Sequence, residues 1–340
     1  PTPAFDQTLG LGSASGPFLS PDGTYAVIGV GSTLQILPSA DDIPAQSIEL
    51  PDDSPIDEVV FSPNSRFVAV QTFQGFTLID HDDATVMRSF GSMNGIAGVT
   101  FSRDNRWLAY RMLERTTGGS YQFISVVPLD DLEAGKTFDV QEPDLYHWMS
   151  DPVLAPDGAW VAAGASDGAL YVWDRASGET RYRLTGHAST ISSVALSPDG
   201  QMLASGSLDG TVRLWDPAQG RLIRVVTGLP DDVASVSFTA EGTRLRIEFV
   251  DAPAAIWDLH TRTLEQQAPA MDVKVPPAVR GRLHTQGYSD ELLGSLDQVA
   301  FNPARPMVAL GTGSVLLWNT DTHQLWAALE APASGSSSTN

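Results

Sequence analysis

The chain has 340 residues, 42% of them hydrophobic, and carries 41 acids against 20 bases for a formal charge of −21 at pH 7. No apolar run approaches the roughly 20 residues that a membrane helix needs, and so negative a surface repels the phosphates of nucleic acid. With no cysteine, disulfides, thiolate nucleophiles and thiolate metal sites are excluded.

In chain order, residues 1–16 read as an N-terminal arm, and strands dominate after it. Tyr25–Val30, Thr33–Leu37 and Ala45–Leu50 form a first group. Phe67–Gln71, Phe76–Ile79 and Val86–Phe90 form a second. Trp107–Met112 leads into a long hairpin through Leu113–Gly119 and on to Tyr121–Val127, with a poorly marked fourth strand after it. A first insertion covers about 130–150. Two regular units follow, then Arg244–Val250 and Ala254–Trp257. A second insertion of about 268–295 is rich in Pro and Gly, with a short helical turn expected at 290–293. Met307–Gly311, Val315–Trp318 and Gln324–Leu329 close the series before a linker-like tail at 331–340.

Each group opens on a turn, and the turns align. They read Leu19-Ser-Pro-Asp-Gly23, Phe61-Ser-Pro-Asn-Ser65, Phe101-Ser-Arg-Asp-Asn105, Leu154-Ala-Pro-Asp-Gly158, Leu196-Ser-Pro-Asp-Gly200, Phe238-Thr-Ala-Glu-Gly242 and Phe301-Asn-Pro-Ala-Arg305. Pro presets φ in such a turn and Gly accepts a positive one. The seven copies are spaced by 42, 40, 53, 42, 42 and 63 residues. Four short strands cannot bury both faces alone, so each unit needs neighbours of its own kind. This period predicts an all-β, seven-bladed β-propeller with four antiparallel strands per blade, spanning 17–330. Gln324–Leu329 is expected as the outer strand of the last blade, and the arm as an extra edge strand, a loose arm or a strand donated to another molecule.

With Trp173-Asp174, Trp215-Asp216, Trp257-Asp258 and Trp318-Asn319 ending third strands, and Gly186-His187 upstream of Asp209, the chain resembles the WD-repeat β-propeller family. That resemblance implies an internal network of His187, Ser207 (or Ser205), Asp209 and Trp215 that staples one blade. It extends in part to Asp167 and Trp173 of the blade before. The first three groups lack the terminal Trp-Asp, so only one copy carries the full set.

Catalytic patterns are thin. Gly164-Ala-Ser166-Asp-Gly168 matches a nucleophile-elbow spacing, but it falls on a strand hairpin rather than a strand-to-helix turn. No His pair has metal-binding helical spacing. The Asp pairs at 41, 52, 82, 130 and 231 read as a solvated acidic rim that leaves Ca²⁺ open as a ligand, with no cofactor otherwise expected. Arg103, Arg106, Arg111 and Arg115 are expected to pair with the chain's own acids.

The insertions carry Tyr146, His147 and Trp148, and Arg280, Arg282 and His284, the residue types that protein interfaces favour. The function expected is therefore a non-catalytic protein-binding or scaffold module. Two alternatives stay open: a surface assembly joined through residues 1–12, and a metal-assisted hydrolase or lyase at the channel mouth. The linker-like ends lean towards an extracellular or cell-surface domain of bacterial type, with the cytoplasm as the alternative; neither nucleic acid nor a membrane span is expected.

Overall fold

The computed structural model describes residues 14–30, 32–38, 45–51, 54, 56–91, 96–116, 119–139, 148–239, 241–266, 298–302, 307–311, 314–319 and 324–330. Among them there is no helix long and apolar enough to cross a membrane. The strands fall into four-stranded antiparallel sheets of consecutive segments. The first holds β1 (Ala14–Leu19), β2 (Tyr25–Val30), β3 (Thr33–Pro38) and β4 (Gln46–Glu49). The second holds β5 (Ile56–Phe61), β6 (Phe67–Thr72), β7 (Gly75–Asp80) and β8 (Thr85–Gly91). In the third are β9 (Ile96–Phe101), β10 (Trp107–Thr116), β11 (Gly119–Pro128) and β12 (Lys136–Phe138). The fourth comprises β13 (Val153–Leu154), β14 (Trp160–Gly164), β15 (Leu170–Asp174) and β16 (Thr180–Leu184). The fifth comprises β17 (Ile191–Leu196), β18 (Leu203–Ser207), β19 (Val212–Asp216) and β20 (Arg221–Val226). The sixth runs through β21 (Val233–Phe238), β22 (Arg244–Phe249), β23 (Ala255–Asp258) and β24 (Leu264–Gln266). The seventh has β25 (Gln298–Asn302), β26 (Met307–Gly311), β27 (Ser314–Asn319) and β28 (Gln324–Glu330).

The aligned turns explain why the chain breaks where it does. Their fifth residue has positive φ in six sheets: Gly23, Gly158, Gly200 and Gly242 near 67–73°, but also Ser65 at 62° and Asn105 at 58°. Asn tolerates this region; Ser adopts it at a cost that the turn must hold. The turn serine holds it. Ser20, Ser62, Ser102 and Ser197 each accept the N–H of the residue five positions on, at 2.8–3.1 Å. Each also donates to the turn Asp or Asn at 2.5–2.8 Å.

Sheets stack through a second recurring device. A Cβ on Gly164 would lie 2.2 Å from Ile191, and one on Gly206 would lie 2.5 Å from Val233. The second strand gives up its side chain so that a β-branched residue opening the next sheet can enter. Gly29 and Ile56 repeat this between the first and second sheets.

The chain divides into two compact units, Pro1–Phe73 with Thr77–Ser89 and Met271–Asn340, and Gln74–Phe76 with Phe90–Ala270. In the first, Tyr25, Val27, Leu34, Ile36, Val68, Val70 and Ile79 form a buried core, and β1 lies against β25 and β26. In the second, successive clusters join the third sheet to the fourth, the fourth to the fifth and the fifth to the sixth.

Three expectations change. The N-terminal arm is shorter, because Ala14 already pairs with Val30. The hairpin expected as a loop over Leu113–Gly119 is ladder, reaching Thr116 opposite Gly119, because its register continues without a break. The first insertion contains the missing outer strand, with Phe138 opposite Ile124. Gln324–Glu330 takes the outer place in the seventh sheet. Residues 1–12, 290–293 and 331–340 lie outside the described residues.

Candidate functional site

The fifth sheet gathers the polar side chains that the sequence singles out. Its register sets Leu203 opposite Trp215 and Ser205 opposite Arg213. Opposed side chains share a face, so the indole reaches one pair along the sheet. Trp215 Nε1–H donates to Ser205 Oγ at 2.9 Å, and Ser205 Oγ is 2.8 Å from His187 Nε2. On the other side of the ring, His187 Nδ1 is 2.9 Å from Asp209 Oδ2. Asp209 also accepts from the Ala188 N–H at 2.9 Å and from the Thr211 hydroxyl at 2.6 Å.

These contacts settle the protonation pattern. The Asp209 carboxylate can only accept, so His187 Nδ1 must carry a proton towards it; in the neutral ring Nε2 is then bare and accepts from the Ser205 hydroxyl. Burial pushes the His187 pKa below its ordinary value and the nearby Arg213 charge helps, against the pull of Asp209. Burial alone would raise Asp209. The Thr211 hydroxyl, the Ala188 N–H and His187 outweigh it and hold the carboxyl at about 2.

Ser207 is not the bridging hydroxyl. It donates to Ser189 O and accepts the Asp209 N–H, both at 3.1 Å, closing the hairpin turn. It stands at the hairpin end of β18, beyond the reach of the indole.

The fourth sheet keeps the turn Asp but surrounds it differently. Asp167 accepts from the Tyr171 hydroxyl at 2.8 Å, the Arg183 guanidinium at 2.8 Å and the Ala169 N–H at 2.9 Å. Burial raises its pKa, but these donors prevail and it ends below its ordinary value. Trp173 is 1% exposed and stacks on Tyr171 with ring centres 5.6 Å apart. Ala163 stands 42 residues before Ser205. Leu145 likewise stands 42 residues before His187, so this repeat has neither the imidazole nor the hydroxyl that would link its indole to the carboxylate.

The family description "WD domain, G-beta repeat" matches residues 149–174 and 178–216. These are the stretches that carry both networks. Two WD repeats therefore stand side by side in this part of the chain.

Over 41 residues the chain is also similar to the U5 small nuclear ribonucleoprotein 40 kDa protein of Mus musculus and of Homo sapiens, at 49% identity. The Pongo abelii counterpart is 46% identical over 41 residues. In each case the match covers 12% of this chain and 12% of the relative.

Around the WD repeats, the other singled-out residues are dispersed. Trp148 leads into the fourth sheet at 37% exposure, and the Arg111 guanidinium lies 5.7 Å from its ring centre. Arg111 pairs with Asp151 at 3.1 Å. Tyr146, His147, Arg280, Arg282 and His284 lie outside the described residues. Among the described residues no three His, Asp or Glu converge on a metal position. Sequence reading missed Thr211, Tyr171 and Arg183 as partners of the two turn Asp residues. The signal was the 42-residue offset, which sets Asp167 against Asp209 and exposes each substitution around them.

Proposed function

We propose that this WD-repeat chain is a non-catalytic protein-binding module, its sheets closed into a seven-bladed propeller that holds the connecting loops in place for a partner. One observation carries the reading. Asp209, His187 and Ser205 are linked in the order of a nucleophilic triad, yet Ser205 is 0% exposed and its oxygen is occupied by Trp215. A nucleophile must reach its substrate. This hydroxyl is committed to the interior, so the polar chemistry of the best-matched repeat serves rigidity.

The net charge of −21 favours a partner with basic groups and weighs against RNA. The relatives are named as ribonucleoprotein components; here that suggests a place among proteins of an assembly. Tyr146, His147 and Trp148, with Arg280, Arg282 and His284, are the contacts proposed on the two insertions.

Capture from the native source followed by calorimetric titration of the recovered partner tests this. We expect saturable binding of a protein. Ester hydrolysis that Ser205→Ala abolishes while the fold persists would sink it.

A further inference from the structure

One end of the fourth, fifth and sixth sheets repeats a single contact. The first residue of the hairpin between second and third strands donates its N–H to the segment entering the first strand. Ser166 donates to Trp148 O at 2.9 Å, Leu208 to Thr190 O at 3.0 Å and Val250 to Asp232 O at 3.0 Å. Neighbouring sheets are tied at the same level. Thr190 Oγ1 donates to Ser166 O at 3.5 Å, and Ser192 Oγ to Val233 O at 2.5 Å. These contacts set Trp148, Leu208 and Val250 in one row.

All three are exposed, at 37%, 39% and 54%. Leu208 and Val250 hold the same repeat position, 42 residues apart. In the second sheet that position is Phe73, 86% exposed. An exposed apolar residue recurring at one register is a patterned surface rather than the single scattered kind that needs no explanation. Acids stand beside it. Asp251 donates its N–H to Asp231 Oδ2 at 2.7 Å, next to Asp232, and no described Arg or Lys forms an ion pair with any of the three.

We propose that this row docks a basic amphipathic segment of a partner protein, its apolar side chains against Trp148, Leu208 and Val250 and its Lys or Arg side chains against Asp231, Asp232 and Asp251. The inference rests on the binding-module reading and names the chemistry of its partner. Face-to-face sheets lie about 10 Å apart, close to the rise of roughly seven helical residues, so a helix of about 16 residues crosses all three.

A display library of random peptides of about 16 residues, panned on the wild-type protein, tests it. Enriched peptides are then titrated on wild type and on the Leu208→Ser/Val250→Ser variant, whose melting is checked first; the two single variants replace it if it melts early. We expect net positive peptides with apolar residues at helical spacing, weakened about tenfold or more by the variant. Peptides that are acidic or wholly polar, or that bind the variant equally well, overturn the row and leave a binding module standing. If no peptide is enriched, the row is likewise overturned, and partner capture alone then judges the module.

Discussion

The fourth and fifth sheets share a repeat length, a turn Asp and a third-strand Trp, yet they are held together differently. In the fifth, Asp209 is tied through His187 and Ser205 to the indole of Trp215. In the fourth, Asp167 is tied to Tyr171 and to Arg183, whose side chain is 47% exposed. The sixth sheet goes further. Leu229 and Ile247 stand where His187 and Ser205 would, and Asp251 is left exposed. The repeat thus specifies where an Asp sits, while its neighbours decide whether it staples the interior, pairs with an Arg or lies exposed at the surface.

Each prediction breaks or sharpens that contrast. Trp173→Ala should cost most, about 3–5 kcal/mol, because a fully buried indole leaves a cavity; denaturant melts measure it, and a loss under about 1 kcal/mol would show that aromatic packing does not hold the fourth sheet. Ser205→Ala strands both an indole N–H and an imidazole nitrogen, so about 2–3 kcal/mol is expected against about 1 for Ser207→Ala. Equal losses would return the bridging role to Ser207.

Acid should expose the fifth sheet through two groups. The folded pKa of His187 lies below its ordinary 6.5, so its contribution is complete above that pH. It is lost as the pH falls and the unfolded chain takes up a proton that the buried ring refuses. Asp209, held at about 2 against an ordinary 3.8, adds a second loss below 3.8 of about 2 kcal/mol. Melts from about pH 7 to about pH 2 should show both, with Asp209→Asn flattening the lower one. A profile identical in wild type and variant contradicts the assignment. The smallest effect belongs to Asp167→Ala, about 1 kcal/mol or less, since its Arg partner is largely solvated.

Much of the architecture was legible because turn chemistry is local. Ser-Pro-Asp-Gly, intact at 20–23 and 197–200, specifies a positive φ and a hydroxyl cap within five residues, and partial copies of it marked the other sheets. What depends on register across strands was harder to read. Ser205 and Ser207 point to the same face, and only the pairing of Leu203 with Trp215 selects between them. The outer strand β12 was obscured because Lys136–Phe138 is short and only Phe138 is buried. The exposed row was missed because Leu208 and Val250 read as ordinary apolar residues until the hairpins put them at the tips.

A crystal structure is the most direct check on the whole account. It should show seven four-stranded sheets meeting in one ring, with Ser205 inside, between Trp215 and His187. Fewer sheets, an open row, or Ser205 turned towards solvent would contradict it.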